Sequence, residues 1–134
     1  MIYLTRKESF NAAHKLYNPA WSSEKNHEVF GKCANENWHG HNYELYVTVK
    51  GEVNDETGYL YDAKALSRLI GELILEKVDH RNLNLDVDFM QGKICSTENL
   101  AIAIFEQLAP RITGAALHCV KLYETERIFV EYYG

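Results

Sequence analysis

Residues 33–49 read CANENWHGHNYELYVTV, a run in which a cysteine and a histidine pair lead into an alternating segment. The alternation of apolar and polar residues over positions 43–49 predicts a β-strand. Side chains two residues apart on a strand point to the same face, so His39 and His41 should project side by side. The stretch therefore predicts two ligands of a metal site, both carried by one strand.

Size and composition indicate a single domain over residues 1–134. Hydrophobic residues make up 46% and charged residues 25%, as in an ordinary soluble protein. A net charge of −5 argues against a broad nucleic-acid-binding surface. The sequence contains neither an apolar run of membrane-spanning length nor a signal-peptide pattern. We therefore expect a cytoplasmic protein whose three cysteines are free thiols.

Hydrophobic periodicity and turn residues predict the element order ββααββ. The predicted elements are strands at 2–16 and 39–51, helices at 63–78 and 98–109, and two strands within 117–133. Asp62 suits the N-cap of the first helix, and Pro110 should end the second. The polar residues 18–38 and 79–95 are expected to form loops, and residues 124–127 a hairpin turn. This order favours an α+β fold with an antiparallel sheet and both helices on one face.

A third histidine is available to the predicted metal site. His14 closes the first strand region, and pairing of the first two strands as a hairpin would bring it to His39 and His41. Three imidazole ligands leave one tetrahedral position open, the arrangement of a catalytic zinc site. A cupin site also uses a histidine pair on a strand, but Glu44 lies at odd spacing from His41 and faces the other way. That geometry excludes the cupin interpretation.

Other residues allow both a chemical and a structural interpretation. Cys33 lies beside Lys32 in a polar loop, the setting of a reactive thiol, although a lone cysteine is more often structural. Asp79 and His80 follow the first predicted helix, where they suit either an acid–base pair or stabilisation of the helix end. Glu124 falls at a strand end, where on its own it would pass as a turn residue.

Six dispersed motifs resemble the family of 6-pyruvoyl- and 6-carboxy-tetrahydropterin synthases. They cover nearly the whole chain in order and with compatible spacing, whereas the histidine pair alone would be a weak signal. The motifs are FNAAHKL (10–16), FGKC (30–33), HGHNY (39–43), VDHRNL (78–83), STEN (96–99) and VKLYET (120–125).

The resemblance implies a tunnelling fold, in which a four-stranded antiparallel sheet carries two helices. Copies of this fold assemble into barrels as a homohexamer, which would also cover the edge strands. The resemblance implies that His14, His39 and His41 bind zinc and that Cys33 is the catalytic base.

It also implies the remaining parts of an active site. Asp79 and His80 would reach in from a neighbouring subunit as the acid–base pair. Glu124 matches the family's pterin anchor, a carboxylate that accepts the two adjacent donors of the pterin edge. Ser96 and Thr97 would support the ring from the start of the second predicted helix, although this chain has Cys95-Ser96-Thr97 where the pyruvoyl branch more usually has Ser-Thr-Thr.

The implied activity is that of a zinc-dependent lyase acting on 7,8-dihydroneopterin triphosphate, with no nicotinamide or flavin. The pyruvoyl branch of tetrahydrobiopterin biosynthesis eliminates triphosphate, and the carboxy branch of queuosine biosynthesis also releases acetaldehyde. Five residues separate Cys33 from His39, a spacing that resembles the pyruvoyl branch. The sequence does not identify the residues that hold the triphosphate, although Arg6, Lys15, Lys25 and Lys32 lie in the appropriate half of the chain.

Two alternatives to the enzyme belong to other classes of protein. A non-catalytic pterin- or purine-binding relative would have no need of a base and an acid–base pair. A structural zinc protein would have a closed site with four protein ligands, and it would unfold without its metal.

Overall fold

Five strands form one mixed sheet in the computed structural model, which describes residues 1–134. The strands are β1 (Ile2–His14), β2 (His39–Gly51), β3 (Arg81–Asn82), β4 (Ala116–Thr125) and β5 (Ile128–Tyr132). Their order across the sheet is β3-β1-β2-β4-β5, and every neighbouring pair is antiparallel except β3 with β1. The predicted antiparallel pairing of the first two strands is confirmed.

The helices lie between the strands in chain order. They are α1 (Ser23–Phe30), α2 (Ala63–Ile70), which continues through a π turn (Gly71–Leu75) into α3 (Glu76–Val78), and α4 (Thr97–Leu108). Asp62 caps α2 as predicted, because its carboxylate accepts hydrogen bonds from the N–H groups of Lys64 and Ala65 at 2.8 and 3.2 Å. None of these helices has the length and apolar character that crossing a membrane requires.

One hydrophobic core lies between the helices and a single face of the sheet. Alternate residues of β2 point into it, and Tyr43, Leu45 and Val47 are fully buried while the residues between them are not. The helices contribute Leu66, Ile70, Ile74, Val78, Leu100, Ile104 and Leu108. The helical spacing predicted for both helices is confirmed, and both share their core with this face of the sheet.

The predicted sheet of four antiparallel strands is wrong, because the segment after α3 adds a fifth, parallel strand. β3 is only two residues long and pairs with residues 12 and 13 of β1. Its entry is fixed by a backbone hydrogen bond of 2.6 Å from the His80 N–H to the Asn11 carbonyl. A two-residue polar strand has no hydrophobic periodicity, so the pattern could not predict it. The assembly of such sheets into barrels stays a prediction.

A helix lies inside the region that was predicted to be a polar loop. α1 begins after Ser22, whose hydroxyl accepts a hydrogen bond from the Lys25 N–H at 3.1 Å. Its one buried residue is Asn26, whose amide accepts from the Asn18 N–H at 2.7 Å and donates to the Asn18 carbonyl at 3.0 Å. Because a buried amide holds α1 in place of an apolar face, hydrophobic periodicity did not indicate it. With α2 and α3 counted as one helix, the order is βαβαβαββ instead of ββααββ.

Candidate metal centre and active site

The ladder between β1 and β2 brings three histidines together at one end of the core. His14 pairs with His39 and Ala12 with His41, so the three imidazoles lie on the core-facing side of adjacent strands. Their ligand-capable atoms all lie within 4.8 Å of one another. The ring centroid of His14 lies 4.6 Å from that of His39 and 5.1 Å from that of His41. The predicted convergence of the three residues is therefore present in one chain.

The glycine between the two histidines allows β1 and β2 to approach closely. A Cβ at Gly40 would lie 3.2 Å from the backbone oxygen of Ala12, a contact tighter than side chains normally make. Any larger residue at this position would push β2 away from β1, and with it the histidines on either side.

One nitrogen of each imidazole is left for a ligand. The buried side-chain nitrogens without a hydrogen-bond partner are His14 Nε2, His39 Nδ1 and His41 Nε2. The other nitrogen of His14 lies 2.7 Å from the Cys95 carbonyl. A carbonyl only accepts, so Nδ1 carries the proton and Nε2 presents a lone pair. This backbone acceptor is the kind of outer partner that orients metal-bound histidines.

Burial also favours the neutral form of the His14 and His39 imidazoles. The pKa of His14 lies below its ordinary value chiefly because burial disfavours the charged ring, and the neighbouring histidines add to the effect. Burial and the nearby His41 likewise lower the pKa of His39. Neutral imidazoles with free lone pairs are the form that binds zinc. The three residues therefore fit the metal that was predicted for them.

Glu124 completes this cluster from β4. Its Oε1 atom lies 3.5 Å from His14 Nε2 and 3.5 Å from His41 Nε2, and its side chain is about one-fifth exposed. Glu124 is the penultimate residue of β4, and its predicted position at a strand end is therefore confirmed. A cation between this carboxylate and the buried lone pair of His14 would stabilise their close approach.

Two contributors to the site were not predicted. Tyr43 is buried two residues beyond His41 on the same face, its ring stacks on Phe10 at 4.9 Å, and its hydroxyl lies 3.4 Å from His14 Nδ1. Same-face spacing from His41 is a signal that could have identified it. Cys95 acts through its backbone carbonyl, which leaves no signal in the sequence.

Cys33 is placed near the histidines by its backbone. It belongs to a 3₁₀ turn (Gly31–Ala34) that follows α1, and its carbonyl accepts a hydrogen bond from the Leu16 N–H at 2.8 Å, two residues after His14. Its thiol is free and exposed, whereas those of Cys95 and Cys119 are buried. Cys33 is therefore the only cysteine whose thiol is exposed to solvent.

The start of α4 also borders His14, because Cys95, whose carbonyl contacts this histidine, immediately precedes the N-cap residue Ser96. Ser96 is the N-cap, and its hydroxyl accepts a hydrogen bond from the Asn99 N–H at 3.2 Å. The hydroxyl of Thr97 is buried and has no partner. Of the two, Thr97 has the free hydrogen-bonding capacity that a ligand could use.

Asp79 and His80 lie apart from this cluster within one chain. The Asp79 carboxylate accepts a hydrogen bond from the Asn11 N–H at 2.9 Å and lies 3.0 Å from His80 Nδ1. These contacts, the backbone one first, lower the pKa of Asp79. The His80 side chain is 78% exposed and its backbone is left-handed, with φ of 59°. The pair lines a surface pocket of about 450 Å³ on the side of β1 that carries Asn11, not His14.

The basic residues in this half of the chain differ in what they contact. Arg6 is paired with Glu8 at 3.0 Å, and the Lys25 ammonium lies over the Trp21 ring at 4.3 Å. Lys15 follows His14 directly and lines a pocket of about 430 Å³ near the turn that carries Cys33. Lys15 is therefore the residue of the four that lies closest in sequence to one of the histidines.

Comparisons with known proteins show which family this chain resembles. A family model described as 6-pyruvoyl tetrahydropterin synthase matches residues 3–134. The 6-pyruvoyl tetrahydrobiopterin synthase of Homo sapiens is 40% identical over 131 residues, which cover 98% of this chain and 90% of the relative. The solved structure of Caenorhabditis elegans 6-pyruvoyl tetrahydropterin synthase matches with a TM-score of 0.94 at 40% identity, over 99% of this chain and 95% of that one.

A more distant relative has a different name. The putative 6-carboxy-5,6,7,8-tetrahydropterin synthase of Archaeoglobus fulgidus is 31% identical over 123 residues, 92% of this chain and 88% of the relative. The matches to the family and to its nearer relatives extend through every strand and helix that positions the histidines and Glu124. On that basis the chain belongs to the 6-pyruvoyl tetrahydropterin synthase family.

Proposed function

We propose that this family member is a zinc-dependent lyase that converts 7,8-dihydroneopterin triphosphate into 6-pyruvoyl-tetrahydropterin with loss of triphosphate. The observation that carries the proposal is the set of three buried, unpartnered imidazole nitrogens on His14, His39 and His41, facing the carboxylate of Glu124. Bound there, zinc would polarise the substrate's side-chain hydroxyls and lower their pKa.

The family resemblance, together with the positions of these side chains, supports a role for each of the protein's own groups. Glu124 would accept hydrogen bonds from the 2-amino group and N3–H of the pterin, and Thr97 would use its free hydroxyl on the ring. Cys33, the accessible thiol, would take a proton from the side-chain carbon next to the ring. The electron pair left behind would reduce the C=N bond of the dihydropterin, so no external electron carrier is needed.

The acid–base pair would come from a second copy of the chain. Asp79 holds His80 through Nδ1, which leaves Nε2 of the exposed ring available to return a proton to the substrate. Because this pair lies on the other side of β1 from His14, we propose a homo-oligomer, a hexamer by family resemblance, with active sites shared between subunits.

The 6-carboxy product of the queuosine branch is the alternative. The pyruvoyl product is favoured by the names of the relatives at 40% identity and by the five residues between Cys33 and His39. The name of the Archaeoglobus relative favours the 6-carboxy product. Incubating the zinc-loaded protein with 7,8-dihydroneopterin triphosphate separates them. We expect triphosphate and 6-pyruvoyl-tetrahydropterin; stoichiometric acetaldehyde with a 6-carboxypterin would overturn this assignment.

Two variants separate the enzyme from a pterin-binding relative. Cys33→Ala should abolish turnover yet leave zinc and pterin binding intact, and Cys119→Ala, which removes a buried thiol on β4, should remain active. Turnover that survives in Cys33→Ala would show that another group is the base. Removing zinc should inactivate the protein without unfolding it, in contrast to a structural zinc protein.

A further inference from the structure

We infer that Glu124 is the fourth ligand of the metal site whenever no substrate is bound. The inference rests on the proposed zinc site and adds a second role to the residue proposed as pterin anchor. Under it, the resting site is closed by four protein ligands and opens only when the pterin ring draws the Glu124 carboxylate away.

The distances from Glu124 to two of the histidines match those between neighbouring ligands of a tetrahedral zinc ion. Zinc bonds of roughly 2.0–2.1 Å to nitrogen and 2.0–2.2 Å to oxygen, at the tetrahedral angle, separate neighbouring ligand atoms by about 3.3–3.5 Å. Glu124 Oε1 lies 3.5 Å from His14 Nε2 and 3.5 Å from His41 Nε2. The oxygen therefore lies at ligand-to-ligand distance from two of the three histidines, although it forms no hydrogen bond to either.

Hydrogen bonding between Glu124 and the neutral imidazole of His14 does not explain this position. His14 Nδ1 is engaged by the Cys95 carbonyl at 2.7 Å, so Nε2 has no proton to donate. The Glu124 carboxylate and His14 Nε2 are then both hydrogen-bond acceptors. Two acceptors that are largely buried and close together repel each other unless a cation lies between them. A metal ion bound by both removes the repulsion.

The two roles of Glu124 exclude each other in time. A carboxylate that accepts both donors of the pterin edge turns its oxygens toward the ring and away from the metal. Arrival of the ring would thus vacate the fourth position at the moment when the substrate's hydroxyls can fill it. Metal chemistry would then be confined to molecules that carry the pterin edge.

Cobalt substitution tests the first part, because Co²⁺ takes tetrahedral nitrogen and oxygen sites and its visible spectrum reports its ligands. We expect Glu124→Ala and the isosteric Glu124→Gln to change the resting spectrum and to weaken Co²⁺ binding by at least about tenfold. Glu126→Gln, an exposed carboxylate in the same hairpin, is the matched control and should resemble the wild-type protein. A spectrum and affinity unchanged in both Glu124 variants would overturn the inference.

The second part needs a ring without side-chain hydroxyls, and 6-methylpterin is the probe. Its fluorescence reports binding, and we expect binding to change the cobalt spectrum of the wild-type protein because Glu124 leaves the metal. Binding without a spectral change would overturn the exchange. Retention of Co²⁺ by His14→Ala, or no uptake by the wild-type protein, would instead overturn the proposed metal site itself, so the two failures are distinguishable.

Discussion

A mixture of two inactive variants should recover activity if the active site is shared between subunits. His80 is 78% exposed, and it lies in a pocket with Ser9 and Glu44, on the side of β1 that faces away from His14. It therefore does not contact the histidine cluster of its own chain. Cys33, in contrast, is tied by its carbonyl to Leu16, next to that cluster. Cys33→Ala and His80→Ala should each be inactive alone, because each lacks one proton-transfer group.

The magnitude of the recovery follows from chain statistics. A shared site is intact when the chain that supplies Cys33 is the His80→Ala variant and its neighbour is the Cys33→Ala variant. With random assembly from equal amounts, each condition holds half the time, so about one quarter of the sites are intact. We therefore expect about a quarter of the wild-type rate per chain.

The assay is triphosphate release after co-expression of the two variants with different tags and purification of the mixed oligomers. Each variant taken alone through the same purification is the control. Mixed oligomers no more active than either parent would refute the shared site. Full activity of His80→Ala alone would instead refute the role of His80.

Three further predictions concern the metal site and its support. His14→Ala should weaken zinc binding by about 100-fold or more, measured by chelator competition, and a change below about threefold would contradict its role as a ligand. Because burial lowers the pKa of His14 and His39, the unfolded chain binds more protons below about pH 6.5, so the metal-free protein should unfold at lower temperature at pH 5.5 than at pH 7.5. If the unfolding temperature of His14→Gln changes as much between these two pH values as that of the wild-type protein, the pH dependence comes from other groups. Gly40→Ala should lower the free energy of unfolding, measured in urea, by about 1–3 kcal/mol, because the added Cβ would lie 3.2 Å from the Ala12 oxygen. Gly71→Ala should instead raise it by about 0.5–1 kcal/mol, because Gly71 has a helical backbone and its added Cβ meets nothing within 4 Å. Equal effects of the two substitutions would contradict the crowding at Gly40.

The elements that hydrophobic patterns predict well are those held by apolar packing. β2 and the helix from Ala63 to Val78 were predicted because Leu45, Val47, Ile70 and Ile74 are buried at the spacing of a strand and of a helix. β3 and α1 were missed because polar contacts hold them: the backbone of Asn11 for β3 and the buried amide of Asn26 for α1. No periodicity reports such contacts.

The site divides in the same way. Side-chain chemistry and spacing predicted the meeting of His14 with His39 and His41, because an antiparallel ladder joins the end of one strand to the start of the next. Backbone roles were invisible, as with the Cys95 carbonyl that orients His14. The contact of the Asp79 carboxylate with the Asn11 N–H was equally out of reach, since it depends on a parallel strand that the pattern did not predict.

The positions of the histidine cluster and of the Asp79–His80 pair indicate how copies of this chain would assemble. Each chain carries a histidine cluster on one side of β1 and the Asp79–His80 pair on the other. If the pair of one chain completes the cluster of the next, the contact joins two different surfaces and is heterologous. Such contacts either close into a ring or continue as a filament, and every chain in a closed ring has one complete site. A monomeric variant made by disrupting that contact should therefore keep its zinc affinity, which depends on one chain, and lose turnover, which depends on two.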